Sequence, residues 1–237
     1  MHVSPDDRLH VGAVPASARG LVLMLHGGAE HGHREVDHRS LAFRRTRWMY
    51  DAIADPLRRE GVGVALLRFT VKGWQAKPAG SAATDAHSGH ADVPPPVADA
   101  RAALARLRAR HEGLPVVLLG HSMGARTAAW VADEPEVVGV VGLAPWLPAD
   151  DPVDALAGRH LVAAHGRRDR ITSPRATAAY LRRAADVAAS TRYVDMGPLG
   201  HYMIAGVRRW NATAVSESLG LLDRVAGGTV SGVTSPE

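Results

Sequence analysis

The apolar run Val116-Val117-Leu118-Leu119 stops abruptly at Gly120-His121-Ser122-Met123-Gly124, and this G-x-S-x-G step constrains the fold more than any other stretch of the chain. A serine projecting from a sharp turn between strand and helix holds a strained backbone beside a neighbouring segment. Only glycine leaves room at both flanks, here Gly120 and Gly124. Residues 125–132 are alanine-rich and helix-permissive. The N-terminus of that helix would turn its free N–H groups and partial positive charge toward the serine, where they would stabilise an oxyanion. The expectation is strand, tight turn, helix.

Other apolar runs of similar length, at residues 21–25, 62–68, 137–143 and 161–164, suit strands buried on both faces, with a short one at 192–194 and a weak opening one at 9–14. Between them, helices are expected at 48–59, from Val97 through Leu107, at 175–188 and at about 202–225. Strands that alternate with helices imply an α/β fold, a doubly wound and mostly parallel sheet with helices on both faces. Neither repeats nor a Pro-rich linker divide the chain, so residues 1–237 are expected to form one domain. Its core spans about 20–225, with a small polar tail at 227–237. Residues 69–96 form a long tract of Gly, Ala, Ser, Pro and Asp, a length usually tied to function.

Composition excludes several classes. Apolar residues make up 46% and charged residues 22%, as in ordinary soluble domains. No run approaches the length of a membrane span, and residues 1–7 lack a signal-peptide pattern, so a soluble cytoplasmic protein is expected. Without cysteine there is no disulfide, thiolate nucleophile or Cys-ligated metal. The net charge of +4 comes from arginine, Lys72 and Lys77 being the only lysines. The densest basic cluster, Arg44, Arg45 and Arg47, lacks the interleaved aromatics of a single-strand platform, so no nucleic-acid partner is expected. Phosphate-loop and G-x-G-x-x-G patterns are absent from the sequence. His31, His33 and His38 with Asp37, and His87 and His90 with Asp85, form no closed ligand set. Neither cofactor nor metal is expected.

A serine hydroxyl needs a base within hydrogen-bond reach and a third group that orients the base. Asp169, in His165-Gly166-Arg167-Arg168-Asp169, follows the 161–164 strand. His201, in Gly197-Pro198-Leu199-Gly200-His201, follows the 192–194 strand. Both fall where open sheets place their sites, beyond the carboxyl ends of strands. Asp150, Asp151, Asp154 and Asp195 compete for the acid role. Trp74, Trp146, Met123, Tyr202 and Met203 adjoin these loops and are candidates to line an apolar acyl pocket. For Trp74 and Trp146, ordinary packing is an equal alternative.

The order Ser122, Asp169, His201 resembles the α/β-hydrolase fold of serine esterases and lipases. The His26-Gly27-Gly28 turn, the Gly120–Gly124 elbow, the Asp169 loop and the Gly200-His201 loop carry the resemblance. It implies that the N–H groups of Met123 and Gly28 bind the oxyanion, with Ala29 as second choice for the latter. It also implies cofactor-free cleavage of a small ester-like substrate through an acyl-enzyme. Two features differ from the family. The stretch Arg68-Phe69-Thr70-Val71-Lys72-Gly73-Trp74 replaces a D-x-R-G-x-G-like turn. Only about fifteen residues, 144–158, stand where larger members insert a lid, so an open or lightly covered site is expected. Thioester cleavage or acyl transfer would use the same residues, and a non-catalytic binding protein could use the same scaffold. The sequence leaves these readings open, with the substrate, the role of 69–96 as a cover, and the oligomeric state.

Overall fold

Continuous apolar runs become interior strands, because a parallel strand covered by helices has no polar face to offer. A computed structural model describes residues 8–75 and 93–228. The chain runs β1 (Leu9–Val11), β2 (Gly20–Leu25), β3 (Ala29–His31), α1 (Leu41–Arg59), β4 (Val62–Leu67), β5 (Gly73–Gln75) and α2 (Pro95–Arg110). It continues with β6 (Val116–His121), α3 (Met123–Trp130), β7 (Val137–Leu143), β8 (His160–His165), α4 (Pro174–Ala184), β9 (Ser190–Asp195) and α5 (Val207–Gly228). Seven strands form one sheet in the order β1-β4-β2-β6-β7-β8-β9. Only the edge strand β1 is antiparallel to its neighbour. Every residue of β2, β4 and β6 is buried.

The strand order fixes where a site can form. From β2 the chain crosses through α1 to β4 on one side, then returns through α2 to β6 on the other side of β2. Right-handed crossovers taken in opposite directions put α1 and α2 on opposite faces of the sheet. α3 and α4 continue in the direction of α2, and α5 packs on α1. The reversal opens a crevice beyond the carboxyl ends of β2 and β6, the topological switch point at which open α/β sheets bind ligands.

Three differences from the sequence expectation bear on the site. Helix α1 starts at Leu41 rather than Trp48. The helical period extends upstream through Phe43 and Thr46, both buried, while Arg44 and Arg47 are carried on other faces. Helix α5 starts at Val207 rather than Tyr202, because Met203 (φ 54°) and Gly206 (φ 67°) take left-handed conformations that a helix cannot contain. Within the stretch expected to be one long loop, β5 pairs in parallel with β3 as a separate two-stranded ribbon, and α2 begins at Pro95. Residues 76–92 lie outside the described residues. Most of the possible cover at 69–96 and the whole His87, His90 and Asp85 group therefore lie outside the described residues, and so does most of the 227–237 tail.

Candidate active site

Ser122 sits between β6 and α3 at φ 55° and ψ −118°, outside the regions an L-residue favours. Its N–H donates to the Leu143 carbonyl at 3.1 Å and its own carbonyl accepts from the Trp146 N–H at 3.2 Å, so β7 and the segment after it hold the strained residue in place. The flanking glycines are required sterically. A Cβ on Gly120 would run into the backbone of Gly124 and Ala125, and one on Gly124 into the carbonyl oxygens of Leu25 and His26.

Three buried side chains from three loops form a hydrogen-bonded chain. Ser122 Oγ lies 3.1 Å from His201 Nε2, and His201 Nδ1 lies 2.8 Å from Asp169 Oδ2. The assignment that satisfies both contacts has Nδ1–H donating to Asp169 and Nε2 accepting from the serine hydroxyl. Among the competing acids, Asp151 is held by the guanidinium of Arg126 (2.6 and 2.5 Å) and by Trp130 Nε1, and Asp195 pairs with Arg167. Neither adjoins His201.

Burial alone would raise the pKa of Asp169. Hydrogen bonds from His165, from His201 and from the N–H groups of Thr172 and Ile171 outweigh it and hold the carboxyl well below the usual carboxylate range. Oδ1 accepts from the N–H groups of Ile171 (2.8 Å) and Thr172 (2.9 Å). Oδ2 accepts from the Thr172 hydroxyl (2.9 Å) and from His165 Nε2 (3.1 Å), besides His201. Thr177 in α4 completes the arrangement by donating its hydroxyl to His165 Nδ1 at 2.9 Å.

Residues 16–164, more than half of the chain, match the family described as serine aminopeptidase, S33. The chain belongs to this α/β-hydrolase family. Among solved structures, an α/β serine hydrolase homologue from Coxiella burnetii superposes with a TM-score of 0.60 at 14% identity, covering 88% of this chain and 90% of that one. An esterase domain from Rhodothermus marinus gives 0.60 at 17% identity, covering 91% of each. An α/β serine hydrolase without lid from Xanthomonas campestris gives 0.58 at 17%, covering 90% and 87%. At such identities the likeness is one of fold. Comparison with curated proteins gives no match.

In this α/β-hydrolase chain, Gly28 and Met123 meet beside Ser122. The Met123 thioether packs against the Cα of Gly28, where a Cβ would collide with it. Met123 opens α3, so its N–H precedes the first intrahelical bond. The Gly28 N–H meets no backbone acceptor among the described residues, whereas the Ala29 N–H donates to the Lys72 carbonyl at 2.8 Å.

Ser122 and His201 open into a cleft of about 450 Å³, walled by Gly28, Leu41, Arg45, Tyr202 and Ile204. Tyr202 is therefore at the cleft, while Met203 lines an adjoining groove between α1 and α5. Trp74 and Trp146 are not part of the cleft wall. They meet edge to face, and the Arg126 guanidinium sits in the corner between them at 4.1 and 4.3 Å from the ring centroids, held also by Asp151. Among the described residues no group of three or more His, Asp or Glu is arranged to hold a metal ion, and no helix is long and apolar enough to cross a membrane.

Two buried histidines near the serine were not singled out from the sequence. His121 donates from Nε2 to the His201 carbonyl at 3.0 Å, tying the histidine loop to the serine turn. Burial, with His201 adding to it, pushes its pKa down to about 3. His26 donates from Nδ1 to the Gly27 carbonyl and accepts the Phe69 N–H at Nε2 (2.6 and 3.0 Å), and burial lowers it to about 4. Both are neutral spacers that fix turns. His165 was visible as the first residue of the Asp169 motif, yet its side-chain target depends on the turn at 166–169.

Proposed function

We propose that this α/β-hydrolase cleaves a carboxylic ester through Ser122 as nucleophile, His201 as general base and acid, and Asp169 as the group that orients His201. The observation that carries the reading is the unbroken chain Asp169 Oδ2, His201 Nδ1, His201 Nε2, Ser122 Oγ at 2.8 and 3.1 Å. As Oγ attacks the ester carbonyl carbon, His201 Nε2 takes the serine proton, and the ionised Asp169 stabilises the imidazolium that forms. The carbonyl oxygen becomes an oxyanion between the N–H groups of Gly28 and Met123, each such donor contributing on the order of 10²–10³ in rate. Collapse expels the alcohol, which takes the proton from His201. Water, deprotonated by the same histidine, then attacks the acyl-enzyme and releases the acid. The esterase from Rhodothermus marinus supports an ester as the bond cleaved.

The test is covalent labelling with a fluorophosphonate, read by intact mass and peptide mapping, alongside hydrolysis of a 4-nitrophenyl alkanoate series. The expected result is one adduct, on Ser122, lost in Ser122→Ala and strongly slowed in His201→Ala, with ester turnover lost in parallel. Folded wild-type protein that takes no adduct on Ser122 would overturn the reading. Labelling on Ser122 with cleavage of aminoacyl amides but not esters would overturn the choice of bond.

A further inference from the structure

The helical face that α1 turns toward the site reads Leu41, Ala42, Arg45, Trp48, Met49 and Ala52. The first three line the cleft at Ser122, and Arg45 onward line the adjoining groove shared with Ile204. At this spacing, one face of one helix supplies the wall of both. Five of the six residues are apolar. Arg45 is the only charge in the stripe, and it stands where the two hollows meet.

Its guanidinium carbon lies 4.9 Å from the ring centroid of Tyr202, the residue after His201. Among the described residues no carboxylate pairs with it. Elsewhere Arg101, Arg126 and Arg167 each hold an acid. An arginine left without an acid beside a nucleophile keeps its planar fork of donors available. The surroundings favour an anion as well. Past Gly28 the cleft continues into a furrow bordered by Arg39 and Lys72, neither of which has a carboxylate within 4 Å among the described residues, Lys72 acting on Asp37 only at longer range. The acid of that furrow, Asp37, is turned onto its own loop, accepting from the Ser40 hydroxyl at 2.9 Å and the Arg39 N–H at 3.2 Å. The N-terminus of α1 opens on the same furrow and adds a partial positive charge.

We infer that Arg45 is a specificity-determining residue that binds an anionic group, carboxylate or phosphate, on the ester held at Ser122. The substrate class is a small amphiphilic ester: an apolar body lies along Leu41, Tyr202 and Ile204, and its acidic oxygens take the guanidinium. This rests on the hydrolase reading above.

The experiment compares kcat/KM for 4-nitrophenyl half-esters of adipic to suberic acid, and for the corresponding ω-phosphonates, with 4-nitrophenyl alkanoates of equal carbon number. Wild type is expected to favour at least one anionic ester over its neutral match. Arg45→Gln should lower that anionic-to-neutral ratio by about tenfold or more, the scale of a charge-assisted hydrogen bond, and Arg45→Lys should retain part of it. The larger of the carboxylate and phosphonate preferences identifies the anion. A second measurement needs no variant: hexanoate and hexyl phosphate should slow fluorophosphonate labelling of wild-type Ser122 more than hexanamide does. Equal protection by all three, or neutral esters turned over with a ratio unchanged in Arg45→Gln, would overturn the assignment of Arg45 and leave the hydrolase reading standing. Absence of Ser122-dependent cleavage for every ester would overturn that reading and this one with it.

Discussion

Replacing Ser122 by glycine and by alanine separates the strain of the turn from the chemistry of the hydroxyl. Both variants lose Oγ and its contact with His201, so that loss cancels in the comparison. They differ in the Cβ, which alanine keeps at φ 55° and ψ −118°. A residue held in a sparsely populated region costs about 1–3 kcal/mol. This one is not at the left-handed minimum, where ψ is near about +47°, so the upper part of the range applies, about 2–3 kcal/mol. Against it stands the greater freedom glycine has in the unfolded chain, about 0.5–1 kcal/mol relative to alanine. The difference leaves Ser122→Gly more stable than Ser122→Ala by about 1–2.5 kcal/mol, or about 2–10 °C in Tm for a chain of this size. Urea unfolding at constant m-value, with calorimetry alongside, measures it. At an unstrained site the sign is opposite. Ser122→Gly less stable than Ser122→Ala by about 0.5 kcal/mol or more would refute the claim that this turn stores strain.

Other perturbations test the surroundings of the same turn. Gly124→Ala forces a methyl group against the carbonyl oxygens of Leu25 and His26, which as backbone of the central strand and its turn cannot swing aside. It should cost about 1–3 kcal/mol or more in urea unfolding, and a loss under about 0.5 would contradict the close approach. Asp169→Asn places an amide N–H₂ against His201 Nδ1 and favours the wrong tautomer. It should lower kcat for an ester on the order of 10⁴-fold, and a loss under about tenfold would remove Asp169 from the orienting role. His121 titrates at about 3 when folded against an ordinary 6.5. Below about pH 6.5 the unfolded chain therefore takes up a proton that the folded protein refuses. Stability supplied by the neutral ring is full above 6.5 and lost as pH falls toward 3, at about 1.4 kcal/mol per pH unit. In His121→Gln that contribution is absent, so between pH 6 and pH 4 its stability should fall less steeply than that of wild type by about this amount. Equal slopes would show that His121 titrates normally.

What could be read from the chain follows from how local the physics is. β2, β4, β6, β7 and β8 were legible because each is an apolar run bounded by Gly, Pro or a charged loop, and their alternation with helices implies the parallel sheet. The strand order, and with it the reversal between β4 and β6, depends on crossovers that leave no mark on any one segment. The three-residue strands β3 and β5 were illegible for another reason. β3 is exposed throughout, and the ribbon has no apolar alternation to display. The first two turns of α1 were obscured by Arg44, Arg45 and Arg47, whose charge resembles a loop until the buried Phe43 and Thr46 are counted with Met49 and Tyr50.

The site divides along the same line. That Ser122, Asp169 and His201 would each follow the carboxyl end of a strand could be argued from the sequence, because the first two lie just past an apolar run and all three lie in turns rich in glycine or charge. The groups that hold them could not. Asp169 carries five donors, four of them from within four residues along the chain: the N–H groups of Ile171 and Thr172 and the Thr172 hydroxyl from the loop that follows, and His165 Nε2 from the end of β8. Only the fifth, from His201, is distant in sequence. The 165–172 segment thus keeps the carboxylate ionised largely by itself. The long-range contact then finds its acceptor already charged and oriented, which is the condition for fixing the tautomer of His201. Trp74 and Trp146 suggest a pocket from their place in the chain, yet the cation they contact, Arg126, lies four residues after Ser122 on α3 and anchors that helix to Asp151. The cleft wall is set instead by α1, a helix far from the serine in sequence, whose inward face became countable only once its true start at Leu41 was known.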